Sequence, residues 1–179
     1  MTRLIFIFLL VVPALFGCTS IPDGVTPVKG FQLDRYLGTW YEIARLDHSF
    51  ERGLSDVTAT YQIRTDGGID VLNKGYDAEK KSWRDAKGRA YFLGSPDTAS
   101  LKVSFFGPFY GGYHVMALDS EYRWTMIAGP SHKYFWILAR TPTLPQATLN
   151  DLLERARKSG FDLEGLIMVS QKNTEIKAR

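Results

Sequence analysis

With 179 residues, 45% of them hydrophobic and 23% charged, the chain can bury one real core, and no second domain is visible in it. A net charge of +3 is too weak to argue for a nucleic-acid partner. Abundant glycine and 13% aromatic residues favour many short strands and turns over a helical bundle.

The N-terminus reads as a targeting segment. Arg3 is followed by an uncharged stretch, Leu4 to Phe16, and then by Gly17 and Cys18. That run is about 13 residues and contains Pro13, whereas a transmembrane helix needs roughly 20. The pattern predicts a secretory signal over 1–17 whose removal leaves Cys18 first. A cysteine there is the usual acceptor of a diacylglycerol group, so the chain looks like a bacterial lipoprotein. Removing residues 1–17 from 179 leaves 162, one domain. Cys18 is the single cysteine, so no disulfide is expected and the fold must stand on packing.

Residues 18–32, with Pro22, Gly24, Pro27 and Gly30, predict a tether from membrane to domain, roughly 45 Å long if extended. From Gly38, alternation of apolar and polar residues between turn signals predicts strands over 38–46, 56–64, 68–75, 82–92, 100–106, 111–118, 122–129 and 133–140. Asp66-Gly67-Gly68 and Gly94-Ser95-Pro96-Asp97 suit tight turns. Eight strands at hairpin spacing suit a sandwich or an up-and-down barrel, and the pattern alone does not choose. After Pro142 the period changes. Leu149, Leu152, Leu153 and Ala156 form one helical face, with Pro145 in the first turn and Gly160 as the cap. A short strand at 165–169 and a tail over 171–179 complete the chain.

Three motifs in register carry a resemblance. Gly38-Thr39-Trp40 opens the first strand, Asp119-Ser120-Glu121-Tyr122 lies between strands six and seven, and Arg140 ends strand eight. Together with Tyr36-Leu37 before the first motif and the aromatic stretch Phe105–Tyr113, the chain resembles the lipocalins, in their bacterial and apolipoprotein D branch, over about 33–170. The resemblance implies an all-β fold, an eight-stranded antiparallel up-and-down β-barrel with one C-terminal α-helix packed outside. It implies that Gly38, Trp40, Asp119, Tyr122 and Arg140 maintain the fold, with Trp40 plugging the closed end under Arg140. With Cys18 lipidated, it implies a lipoprotein of the bacterial outer membrane facing the periplasm. Thr19 agrees, since an aspartate there would suggest retention at the inner membrane. The anchor is expected to emerge near the closed end, with a tether long enough to leave the mouth's orientation open.

If one alternation class faces inward, the cavity-lining candidates are Ala44, Val57, Ala59, Tyr61, Val71, Asn73, Ala90, Val103, Phe105, Tyr113, Met126 and Trp136. The alternative for each is ordinary core, and a one-residue slip inverts every assignment. Phe105, Phe106, Phe109, Tyr110 and Tyr113 crowd one open-end loop, as a lipid-greeting rim or as hairpin packing. Arg45, Arg52, Lys74, Lys80, Lys81 and Arg84 map near the same end, as a headgroup-binding rim or as solvated charges. The three histidines lack metal-ligand spacing, and no nucleophile elbow is present, so no catalytic residue, metal or cofactor is expected. The expected function is non-enzymatic binding, storage or transport of a fatty acid or lysophospholipid in the cell envelope, with a homodimer left open. The alternatives are an enzyme on the same scaffold acting on a lipid or peroxide, and an interaction protein with a filled barrel.

Overall fold

A computed structural model describes residues 19–172; the expected signal, Cys18 and positions 173–179 of the tail lie outside it. Eight strands follow one another as antiparallel neighbours: β1 (Gly38–Arg45), β2 (Leu54–Ile63), β3 (Ile69–Asp77), β4 (Ser82–Phe92), β5 (Ser100–Phe106), β6 (Phe109–Leu118), β7 (Trp124–Ala128) and β8 (Phe135–Ala139). β1 pairs with β2 through Gly38–Tyr41 and with β8 through Tyr41–Arg45, so the sheet closes on itself. This settles the choice that alternation left open in favour of the barrel. Closure also removes the exposed sheet edges that an open arrangement would leave.

The mouth end of the β1–β2 seam is built by a later part of the chain. A two-residue strand, β9 (Ile167–Met168), pairs with Ala44 and Arg45 of β1. Beyond it Val169 N–H donates to the Ile43 carbonyl at 2.9 Å, and Asp56 N–H donates to the Ser170 carbonyl at 2.7 Å. Gln171 Nε2 then donates to the carbonyls of both Glu42 and Val57, each at 2.8 Å. The segment thus stitches β1 to β2 where they no longer pair directly.

Outside the barrel lies α2 (Gln146–Lys158), whose buried face is Leu149, Leu152 and Ala156. These residues pack with Ile43, Met126, Phe135, Ile137 and Ala139 of the barrel wall. Pro145 stands at the N-cap rather than inside the first turn. At the other end Gly160 has φ +89°, a left-handed geometry that glycine adopts without strain, and Phe161 N–H returns to the Ala156 carbonyl at 3.1 Å.

Two features near the N-terminus depart from expectation. A single helical turn, α1 (Leu33–Tyr36), precedes β1. Residues 19–32 do not hang free as a tether but are strapped to the barrel. Val28 N–H donates to the Val115 carbonyl and Phe31 N–H to the Asp97 carbonyl, at 2.9 and 2.8 Å. Val25 and Phe31 are buried. The strap begins beside β6 and the β7–β8 loop, where Ser20 Oγ donates to the Pro130 carbonyl at 3.0 Å. That loop, with those at 46–53, 78–81 and 107–108, forms the open end; the loops at 64–68, 93–99 and 119–123 form the closed end. The described chain therefore starts at the open end, not near the closed end as expected.

Candidate ligand cavity

The closed end is sealed by Trp40, which has no solvent exposure. Its indole N–H donates to the Tyr36 carbonyl at 2.8 Å. The Arg140 guanidinium stacks on its ring, 3.8 Å from the centroid. Arg140 also donates to the carbonyls of Thr39, Arg35 and Leu37, at 2.9, 2.8 and 2.9 Å. It thereby satisfies acceptors that the end of the short helix α1 leaves open. Gly38, at φ +89°, turns the chain from α1 into β1, and a Cβ there would lie 3.5 Å from Arg140 Nη1. Tyr122 also sits at positive φ, +57°, and its hydroxyl accepts from Gln32 N–H at 2.9 Å. Asp119 accepts from the backbone N–H of Glu121 and Arg123 and from the Arg123 guanidinium. All five signature residues thus hold backbone or seal the floor.

Above Trp40 three tyrosine hydroxyls meet. Tyr113 lies 2.6 Å from Tyr36 and 2.9 Å from Tyr61, oxygen to oxygen. Burial pushes Tyr36 up to about 12 and raises Tyr61 and Tyr113 as well. All three therefore stay neutral, joined by two hydroxyl–hydroxyl hydrogen bonds. The space among them, Phe31, Ile69, Ala90 and Leu101 is only about 10 Å³, room for about one water molecule. The closed end of the barrel is a packed floor.

The upper interior is different. Asn73, Val103, Phe105, Tyr113 and Trp136 are only partly buried, yet Val103, Phe105, Tyr113 and Trp136 pack on the interior cluster around Trp40 and Tyr61. These inward-facing side chains keep some contact with solvent, unlike those of the floor. One wall is polar. Arg45 Nη1 donates to Glu42 Oε1 at 2.6 Å, and its Nη2 to the Glu51 carbonyl at 2.9 Å. Glu51 Oε2 in turn accepts from Trp136 Nε1 at 3.1 Å and lies 3.1 Å from His48 Nε2. Burial raises Glu42 well above the ordinary carboxylate range, reinforced by Glu51 and opposed by Arg45. With its partners inside the protein, this cluster braces the β1–β2 loop. Asn73 Oδ1 is buried without a hydrogen-bond partner in the same interior.

Set against the predicted lining, Val57, Ala59, Tyr61, Val71, Asn73, Ala90, Val103, Phe105, Tyr113 and Trp136 share the barrel interior, with Tyr61, Ala90, Val103 and Tyr113 around the small floor pocket. Ala44 and Met126 do not belong there. Both pack in the outer cluster beneath α2. A bulge between Glu42 and Ala44 places Ile43 and Ala44 on the helix side and turns Arg45 inward. Met126 sits on a strand apolar on both faces, where alternation gives no facing; Ile127, not Met126, points in.

The predicted rims also divide. Phe106 and Phe109 are 80% and 76% exposed. Phe105 and Tyr113 turn inward, and Tyr110 lies outside against Tyr91 and Lys102. Of the predicted basic rim, Arg45 is 1% exposed and committed to Glu42. Arg52 pairs with Asp47. Lys80, Lys81 and Arg84 remain exposed at the mouth. The Glu42–Arg45–Glu51–Trp136 network was not legible, because its residues are ordinary in sequence and meet only through the bulge and the folded-in loop.

The sequence profile of the lipocalin-like domain matches residues 31–171. Outer membrane lipoprotein Blc of Citrobacter freundii is 57% identical over 150 residues, 84% of this chain and 85% of that protein. Its namesake in Vibrio cholerae is 52% identical over 170 residues, 94% and 99%. Among solved structures the cockroach allergen Per a 4 superposes with a TM-score of 0.69 at 18% identity, over 89% of this chain and 99% of the other, a likeness of fold alone. With a domain profile spanning the barrel and relatives above half identity across most of both chains, this protein belongs to the lipocalin family.

Proposed function

We propose that the protein is a lipid-anchored lipocalin of the bacterial outer membrane that binds a fatty acid or lysophospholipid without chemically changing it. The location follows its relatives' name, outer membrane lipoprotein, and Cys18, which directly precedes the strap, is the residue for the acyl anchor. The observation that carries the binding role is the partial exposure of inward aromatic and aliphatic side chains in the upper interior, which we read as a hollow. An acyl tail lies there against Val103, Phe105 and Trp136, its end over Tyr113. Each methylene removed from water contributes about 0.8 kcal/mol. Association and ordering consume much of that, so a Kd near ~1 μM is expected for a long-chain ligand.

The Glu42–Arg45–Glu51 cluster supports a bracing role, since its hydrogen bonds are internal. A second reading, an interaction protein with a filled barrel, draws on the tightness of the floor pocket. Native mass spectrometry of protein purified from its own membranes, followed by titration with the extracted lipids, separates the two. Saturable uptake of an acyl lipid supports binding in the hollow. A lipid-free preparation that takes up no acyl ligand rejects it.

A further inference from the structure

The strap sets which way the barrel faces. Thr19 lies against β6 at Gly112, where a Cβ on the glycine would stand 3.3 Å from Thr19 Cα. His114 Nε2 then donates to the Ser20 carbonyl at 2.9 Å, and His132 Nε2 donates to the Asp23 carbonyl at 2.9 Å. Gly24 packs against Ser159 at the end of α2. Four contacts therefore hold residues 19–24 at the mouth end. Cys18 is one Cα–Cα step away, about 3.8 Å, so a lipid on it cannot swing to the closed end while the strap is docked.

The mouth end also carries the exposed aromatic side chains. Phe106 and Phe109 at the β5–β6 tip are 80% and 76% exposed, Phe50 in the β1–β2 loop 52%, and Trp83 at the start of β4 42%. Lys80 and Lys81 stand exposed beside Trp83. Aromatic rings flanked by lysines match a membrane interface, with apolar bodies inward and charges at the headgroups. The level of insertion follows from strand geometry. Phe109 lies three residues beyond Gly112 towards the tip, about 10 Å along the strand. That exceeds the single step from Thr19 to the anchor. With Cys18 at the interface, the β5–β6 tip reaches past it into the bilayer.

We propose that the protein docks mouth-down on the bilayer that holds its own anchor, with Phe106 and Phe109 inserted and the cavity opening directly onto the lipid. This rests on the lipid anchor at Cys18 proposed above. Because Cys18 is the single cysteine, an acylated parent chain has no free thiol, and one introduced cysteine takes a spin label uniquely. The test uses full-length protein purified from membranes and reconstituted in phosphatidylethanolamine–phosphatidylglycerol vesicles. Phe106→Cys at the mouth is compared with Ile63→Cys at the closed end; both positions are exposed, so the fold tolerates them.

The expected result is an oxygen-to-nickel accessibility ratio on the order of tenfold higher at position 106 than at 63, as for a residue buried among acyl chains. A parent chain that takes up the label has a free Cys18; that outcome overturns the anchor and this orientation with it. A parent that stays unlabelled while position 106 reports water, or while position 63 reports lipid, overturns the orientation and leaves the anchor standing.

Discussion

Trp40 and Arg140 act as one unit at the floor. The guanidinium lies on the indole and holds three carbonyls around α1. Trp40→Ala is expected to cost about 3–5 kcal/mol of stability, as for loss of a large buried ring. Ligand affinity of the folded fraction should stay near wild type; chemical denaturation with a parallel binding titration checks both. Arg140→Met keeps much of the stem and removes the donors. It should lower stability by about 1–3 kcal/mol, because three hydrogen bonds from a charged donor and the cation over the indole ring are lost. His114 gives a pH dependence. Its Nδ1 faces Ser100 Oγ at 2.9 Å and its Nε2 the Ser20 carbonyl. Burial lowers its pKa below the ordinary 6.5. Folding therefore favours the neutral ring, and protons favour the unfolded chain. The contribution is complete above about pH 6.5 and is lost as pH falls through that value towards the depressed one. Melting curves from pH 7.5 to 5 should show a decline for wild type that His114→Phe lacks; parallel curves would refute the assignment.

Among the elements, those with one wet and one dry face were readable from sequence. β2 through β5 alternate, and their turns carry the residues that their geometry requires, so their positions were predicted within a few residues. The face of α2 was equally legible, because Leu149, Leu152 and Ala156 recur at helical spacing. Leu152→Ala, at a fully buried site against the barrel wall, should cost about 2–5 kcal/mol by thermal or denaturant unfolding. What escaped the sequence has a common cause. The facing of Ala44 depends on a one-residue bulge in β1, and that of Met126 on a helix that covers the outside of β7. The strap resembled a linker because proline and glycine signal irregular backbone whether or not it is packed. Its hydrogen bonds to the β4–β5 loop and to Val115 of β6 are made by main-chain groups, which carry no sequence signal.

For the whole molecule, the interior divides into a packed floor and an upper part whose inward side chains keep contact with solvent, with Tyr113 at the boundary. Its hydroxyl links Tyr36 and Tyr61. Tyr113→Ala removes that link and joins the hollow to the floor pocket. The preferred acyl ligand should become longer, read from affinities across a series of fatty acids. An unchanged length optimum would show that bound tails never approach the floor.

The floor has a consequence for a chain that emerges from its N-terminus. The carbonyls gathered by Arg140 belong to Arg35, Leu37 and Thr39, more than a hundred positions earlier. Until that arginine has cleared the ribosome or a translocation pore, α1 and Trp40 lack their lid, and the growing sheet has a free edge. Barrel closure is thereby deferred to the last quarter of synthesis or export. Nascent chains halted before position 140 should remain protease-sensitive, and chains halted just beyond it, with the exit tunnel cleared, should begin to resist.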